Sequence, residues 1–253
     1  MVVYTARNTD GEAGAREFIL PVMDGMEAIH FCNTSVQKAA RNYARGKPDA
    51  SIKGVPVANA NYVTFQGDVN YLETRTKESS AQTIYCICRP IGDLLSSATQ
   101  SMAVSTFTRP AAAGGGSTFG AALFFQNPGS GPTVQGIGSR GTSVANHING
   151  TVSLPIPTPS NWRMNALLVK DAVTKNELFD LTNNGHAVSL AANTPRFPSS
   201  GFYRIGSSYA APAFIGQIDI AFVAIASVAH TEAQMQANRA ALQAYFDPRG
   251  ISI

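Results

Sequence analysis

Between Gly201 and Ile253 the hydrophobic period of the chain changes from that of a strand to that of a helix. Phe202 to Ile205 reads as a short strand and Phe214 to about Ser227 as a long one. In the first half of the long strand Phe214, Ile218, Ile220 and Phe222 share one parity. Gln217 and Asp219 share the other, the pattern of a sheet with one wet face. From Ala221 onward Val223 and Ile225 join Phe222 and Ala224, so both faces of this half are apolar and need cover. The next element supplies it. Thr231 followed by Gln234 is a capping-box pattern, Glu232 suits the first turn, and Met235, Leu242, Tyr245 and Phe246 fall at helical spacing. Asp247-Pro248-Arg249-Gly250 stops the helix.

Upstream the runs are short. Arg16 to Val22 and Met26 to Cys32 can each be a strand, and Ser35 to Arg45 has the composition of a short helix before the turn Gly46-Lys47-Pro48-Asp49. Residues 1–50 therefore read as an N-terminal arm, a docking segment or the first strands of the body, and 51–253 as the body. Strands are predicted at Ser51–Ala58, Tyr62–Phe65, Tyr71–Thr74, Gln82–Arg89, Met102–Phe107, Ala121–Phe125, Thr133–Ile137, Ser143–Ile148 and Thr151–Leu154. In Gln82–Arg89, Ile84, Cys86 and Cys88 face one way and Tyr85 and Ile87 the other. Pro155, Pro157 and Pro159 make a stiff connection into Trp162. Short strands spaced in this way, with no helices between them, predict a sandwich rather than βαβ units.

Composition narrows the function classes. At 253 residues, 44% apolar and 14% charged, the chain is neither disordered nor membrane-like in balance. No run reaches the roughly 20 apolar residues of a spanning helix. The start, MVVYTARNTDGEAG, lacks the basic-then-apolar build of a signal peptide, which predicts synthesis in a cytosol. A net charge of +3 from scattered Lys and Arg leaves no nucleic-acid footprint. Cys32, Cys86 and Cys88 lack zinc-site spacing and read as reduced, buried thiols.

No motif brings chemistry with it. Gly136-Ile137-Gly138-Ser139-Arg140-Gly141 fits GxGxxG, but strand and turn residues follow where a dinucleotide site needs a helix, so no cofactor is expected. No strand places two carboxylates on one face, as glycoside hydrolysis needs. Asp219 reads as bonding a loop backbone, and Glu73 and Glu78 as solvated beside a loop. The four histidines, His30, His147, His186 and His230, show no triad pattern. Asp68 with Asn70, or Asp171 with Asn176, could contribute to a calcium loop, but Asp and Asn serve turns equally well, and no metal is expected.

Several segments resemble a known fold. Ile205-Gly206, Gly216 to Phe222 and the helix from Thr231 to Tyr245 resemble the closing elements of laminin G-like, concanavalin A-like jelly rolls. Trp162 to Val169 resembles the strand that often opens with Trp in these domains, and the hairpin Glu177 to Leu190, turning at Asn183-Asn184-Gly185, the one after it. The resemblance implies an all-β, two-sheet antiparallel jelly roll with one short C-terminal α-helix. Tyr62 to Phe65, Asn70 to Thr74 and Gln82 to Tyr85 are similar to bacteriophage and prophage tail and virion accessory proteins that carry such domains. That likeness implies a non-enzymatic tail-fibre, baseplate or capsid component, extracellular after lysis and homo-oligomeric, without membrane insertion. It would bind host-surface polysaccharide or other virion proteins. A polysaccharide hydrolase or lyase and a purely structural subunit are the alternatives. Lectin-like relatives bind through loop aromatics and amides, which makes Asn146, His147, Asn149 and Tyr209 the candidate ligand-binding residues.

Overall fold

The computed structural model describes residues 15, 17–170, 175–189, 194–210 and 212–253. The elements begin with β1 (Met26–Phe31), α1 (Val36–Ala40), β2 (Ser51–Lys53), β3 (Val57–Ala58), β4 (Val63–Gln66), β5 (Tyr71–Lys77) and β6 (Gln82–Pro90). There follow β7 (Ser101–Ser105), β8 (Arg109–Pro110), β9 (Ser117–Thr118), β10 (Ala121–Gln126), β11 (Thr133–Gly138) and β12 (Val152–Pro155). The last are β13 (Arg163–Val169), β14 (Asn176–Asp180), β15 (Gly185–Val188), β16 (Phe202–Ile205), β17 (Gln217–Ala226) and α2 (Glu232–Phe246). The first sheet runs β15-β14-β13-β6-β17-β4-β3, with β1 also paired to β17; the second runs β12-β11-β10-β7-β16-β5-β2. Pairing is antiparallel in both, for example β6 with β13 and β5 with β16. The chain is an all-β jelly-roll sandwich closed by a C-terminal helix.

Two apolar layers hold it together. Between the sheets lie Phe65, Leu72, Ile84, Cys86, Cys88, Leu123, Phe125, Leu167, Tyr203 and Ile220. On the far side of the first sheet, Phe31, Tyr85, Ile87, Met164 and Phe222 pack under Met235, Leu242 and Phe246 of α2, joined by Leu20, Tyr43, Ile251 and Ile253. The alternation predicted for β6 is therefore seen, with each parity in its own layer. All three cysteines are free and buried. Burial pushes the Cys32 and Cys86 thiols well up, which keeps them protonated.

β17 departs from the sequence expectation. Ile218 and Ile220 face the inter-sheet core, but Phe222 joins Ala221, Ala224 and Ala226 under the helix, while Val223 and Ile225 face inward. The pairing with β6 slips between Ile220 and Phe222, a β-bulge that puts Ala221 and Phe222 on the same side. Phe214, expected on the strand, has φ +57° and packs with Phe107, Phe119 and Phe124 outside the second sheet. The expected wet face is also half dry: Gln217 is exposed, whereas Asp219 is 4% exposed.

The helix signals are met in full. Thr231 Oγ1 accepts from the Gln234 amide at 3.3 Å and Gln234 Oε1 accepts from the Thr231 amide at 2.8 Å, and Gly250 (φ +75°) follows the closing turn. Asn238, polar within the stripe, is fully buried and bonds both the amide and the carbonyl of Val22, at 2.9 and 3.2 Å. Ser51–Ala58 is two strands, β2 in the second sheet and β3 in the first, divided at Gly54 (φ +66°). Ser143–Ile148 is no strand: Val144–Asn146 is a 3-10 turn capped by Ser143 and Asn146. Arg16 lies outside the described residues, and 17–22 hold no strand.

Glu78 is a further correction. Its side chain is fully buried and pairs with Arg196, the Thr106 hydroxyl and the Ala121 amide (3.0 Å), so it ties three segments at one edge of the sandwich. Removing one partner of such a pair strands a buried charge. Glu78→Ala is expected to lower stability by about 3–5 kcal/mol in urea denaturation. A cost under about 1 kcal/mol would show that Arg196 finds other partners.

His30 is fully buried, and its Nδ1 lies 3.0 Å from the Ala39 carbonyl. Burial lowers its pKa to about 4, against the opposing pull of that carbonyl and of Asp49. Between pH 6.5 and 4 the unfolded chain binds a proton at His30 that the folded chain refuses, so stability falls as the pH is lowered through that window. The loss reaches on the order of 3 kcal/mol. Wild type should lose that much more than His30→Asn between pH 7 and 4 in chemical denaturation. Parallel losses would show that His30 does not titrate in this range.

Candidate ligand-binding groove

One cross-strand row at the end of the first sheet carries the most developed site. Thr64 of β4 stands opposite Asp219 of β17, and Asp219 opposite Arg89 of β6. Trp162 precedes Arg163, which pairs with Cys88, so it extends the row onto β13. All four positions have the parity of the helix-covered side of the sheet. Arg89 Nε donates to Asp219 Oδ2 at 2.9 Å, and Thr64 Oγ1 donates to Oδ1 at 2.7 Å. This corrects the sequence expectation, since the partners of Asp219 are side chains and not a loop backbone. The Arg89 guanidinium lies 4.7 Å from the Trp162 ring centroid and 5.3 Å from that of Tyr62, and the two rings are 5.4 Å apart. Two rings and a buried carboxylate thus hold the cation in place. Its terminal nitrogens bond no described residue, and the side chain is 31% exposed.

Arg89 and Trp162 of the row wall a groove of about 590 Å³, lined also by Pro155, Pro157, Thr158, Ser160, Asn161 and Asn183, with Gly250 and Ser252 from the tail. An adjoining hollow of about 430 Å³ shares Arg89 and Ser160 and adds Ile91, Gly92 and Pro159. Beneath them Arg163 and Asp180 form a buried pair at 3.2 Å. Arg163 also donates to the Thr158 carbonyl (2.9 Å), and Asp180 accepts from the Asn183 amide (3.1 Å) and side chain (2.8 Å). The proline-rich connection and the Asn183 turn are thereby fixed to the sheet. The result is a preformed hollow with an aromatic plane, a planar cation, and hydroxyl and amide groups, suited to a polar ligand with one apolar face. Its two carboxylates are set for structure. Asp180 is paired with Arg163 and Asp219 with Arg89, on strands β14 and β17, which β13 and β6 separate.

Of the loop residues expected to bind ligand, Asn146, His147 and Tyr209 have side-chain partners and Asn149 a backbone one. Asn146 Oδ1 accepts from the Thr142 and Ser143 amides at 3.2 and 2.8 Å, closing its own turn. His147 sits between Phe119 and Phe197, at ring separations of 5.2 and 5.4 Å, with Nδ1 2.7 Å from the Val144 carbonyl. The Asn149 carbonyl accepts from Gly138 at 3.1 Å. Tyr209 does not lie free on its loop. Arg204 and Arg109 lie over its ring at 3.5 and 4.2 Å, and its hydroxyl is 2.8 Å from the Phe202 carbonyl and 3.2 Å from Glu73. Burial, then Glu73, raises the Tyr209 pKa, which disfavours a nucleophilic phenolate. Among the described residues, no hydrogen bond or ring contact joins the Asn146–Asn149 turn to Tyr209.

The remaining expectations sort in the same way. Glu73 is not beside a loop; it is mid-strand on β5 and pairs with Arg204 at 3.2 Å. Gly136 and Gly138 lie within β11, where a side chain would meet Leu167 and Asn176, so they serve sheet packing. Asn70 Oδ1 accepts from the Gln66 amide at 2.7 Å within its own turn, and Asp171 lies outside the described residues. His186 stacks on Phe179 at 4.2 Å, and His230 bonds the Tyr85 hydroxyl at 2.7 Å. Sequence reading missed Arg89, Tyr62 and the role of Asp219. The available signal was that Thr64, Arg89, Trp162 and Asp219 have outward parity near the ends of their strands.

No protein-family model matches the chain, and no curated protein matches it in sequence. Solved structures do match in shape. The botulinum neurotoxin serotype D ligand binding domain in complex with N-acetylneuraminic acid superposes with a TM-score of 0.57 at 9% identity, over 85% of this chain and 50% of that one. The fold is what they share. The binding domain of botulinum neurotoxin DC in complex with SialylT gives 0.60 at 6% identity, over 88% and 52%. Trypanosoma rangeli sialidase gives 0.57 at 11% identity, over 86% and 32%. The chain spans about half the length of the neurotoxin domains and about a third of the sialidase.

Trp162 is the chain's sole tryptophan, so its emission reports on the row directly. Asp219→Ala should shift that emission and lower stability by roughly 1–3 kcal/mol, because Thr64 and Arg89 lose a buried acceptor. Unchanged emission and stability would mean that the rings alone fix Arg89.

Proposed function

We propose that this chain is a non-enzymatic carbohydrate-binding module whose sugar site is the Trp162 groove. The observation that carries the reading is the preformed hollow itself. Trp162 offers a ring to the apolar face of a sugar, while Arg89, Ser160, Asn161 and Asn183 offer donors and acceptors to its hydroxyls. Structures of the same fold in complex with N-acetylneuraminic acid and with SialylT support a saccharide as ligand. Against a hydrolase stands the placement of the two carboxylates that looked most available. Asp219 projects from the outer side of the first sheet and Glu73 from that of the second, each paired with an arginine, so they cannot flank one glycosidic bond.

Within this reading the module belongs to a bacteriophage or prophage virion, as a tail-fibre, baseplate or capsid accessory subunit acting outside the cell after lysis. That assignment is supported by the likeness of Tyr62–Phe65, Asn70–Thr74 and Gln82–Tyr85 to such proteins. Copurification with induced particles tests it.

A glycan array followed by titration of Trp162 emission tests the binding. A bound oligosaccharide should change the emission, Trp162→Phe and Asn161→Ala should each weaken binding about tenfold, equivalent to ~1.4 kcal/mol, and no reducing sugar should be released. Sugar release that is lost on changing Asp219 or Glu73, or binding that ignores both groove variants, would overturn the assignment.

A further inference from the structure

A second surface, on the outward side of the second sheet, is not used by the groove. The Arg204 guanidinium lies 4.5 Å from the Tyr71 ring centroid and 3.5 Å from that of Tyr209, and Arg109 lies 4.2 Å from Tyr209. Two like charges so close to one ring cannot share a face, so together they cover both sides of Tyr209. Next to this stack Arg75 and Lys77 of β5 lie 5.7 and 5.4 Å from the Phe202 ring. Lys53 is aligned with Tyr71 across β2 and β5. Facing these five cations from the outward positions of the same strands is Glu73, which Arg204 holds at 3.2 Å. The positive excess here is larger than the +3 of the whole chain. Arg75, Lys77 and Arg109 are exposed.

Ring contacts hold Arg75, Lys77, Arg109 and Arg204 in place, so they lose less freedom on meeting a ligand than free lysines and arginines would. Arg75 and Lys77 project about 6.8 Å apart along one strand, with neighbouring strands ~4.8 Å away. That arrangement presents a grid of cations to a chain of repeated anions. We propose that this face binds an anionic polysaccharide through its carboxylate or sulfate groups, as a site independent of the groove. Nucleic acid is disfavoured by the same geometry. Single strands bind by stacking bases on free aromatic faces, and here Tyr209 and Phe202 are already covered by cations.

The test titrates the full chain with polysialic acid, dextran sulfate, neutral dextran and a thymidine oligonucleotide at low and high salt. At least one acidic polysaccharide should bind, with affinity falling steeply as salt rises, and neutral dextran should not. Whichever acidic polymer binds identifies carboxylate or sulfate as the group recognised. Arg75→Glu with Lys77→Glu should weaken that binding about tenfold or more, with an unchanged thermal transition, whereas Trp162→Ala should not. If the double variant fails to fold, Arg109→Ala, outside the two sheets, should still weaken binding severalfold. The proposal is overturned if neither acidic polymer binds, if the charge changes leave affinity unaltered, if Trp162→Ala abolishes it, or if the oligonucleotide binds as tightly. Groove binding of a neutral sugar reads separately through Trp162 emission, so either site can fail without the other.

Discussion

The bulge in β17 is the constraint on which the rest of the structure depends. An unbroken strand sends alternate residues to opposite faces, and it would have placed Phe222 between the sheets with Ile218 and Ile220. The extra residue at Ala221 instead sends Phe222 under the helix and turns Val223 and Ile225 inward. Large side chains then fill both layers from one strand. Phe222 meets Phe31 and Phe246 at ring separations of 5.1 and 6.4 Å, which ties β17 to β1 and α2. Ahead of the bulge the outward face that later carries Ala224 carries Asp219. The strand therefore passes from binding face to covered core within a few residues.

That transition explains why the groove is where it is. Ala221 and Phe222 are roofed by the helix and the tail, whereas Asp219 lies beyond the roof and needs polar partners. Arg89 and Thr64 provide them from the adjoining strands, and Trp162 and Tyr62 flank the arginine. Polar satisfaction of one buried carboxylate thus leaves, at the rim of a hollow, a guanidinium whose terminal nitrogens bond no described residue. The buried Arg163–Asp180 pair acts in the same way between β13 and β14, anchoring the proline connection that forms the opposite wall.

What the sequence made legible was local. The alternation in Gln82–Arg89, the capping box at Thr231 and the stop at Asp247–Gly250 depend on neighbours a few residues away, and all were found as expected. The sandwich was readable from strand lengths and spacing, and the jelly-roll class from the resemblance of the closing segments. What escaped depended on register. Whether Asp219 is wet or buried is decided by Arg89, 130 positions away, and whether Tyr209 is free is decided by Glu73, 136 away. Ser143–Ile148 alternated well enough for a strand, but the Asn146 side chain competed for the backbone amides and closed a turn. Glu78 looked solvated because Arg196, its partner, is also distant in the sequence.

The margins of the two sheets bear on how copies could meet. Six-residue β1 is one edge of the first sheet, and Asn42 and Tyr43 bond along its free side. The first sheet otherwise ends at two-residue β3 and four-residue β15, the second at three-residue β2 and four-residue β12, which finishes in a proline. Val57, Ile52 and Val188 are exposed there, so these margins are protected by brevity more than by charge. Such stubs offer too few backbone groups in line to template a neighbouring strand. Repeating assembly by continuation of a sheet is thereby discouraged.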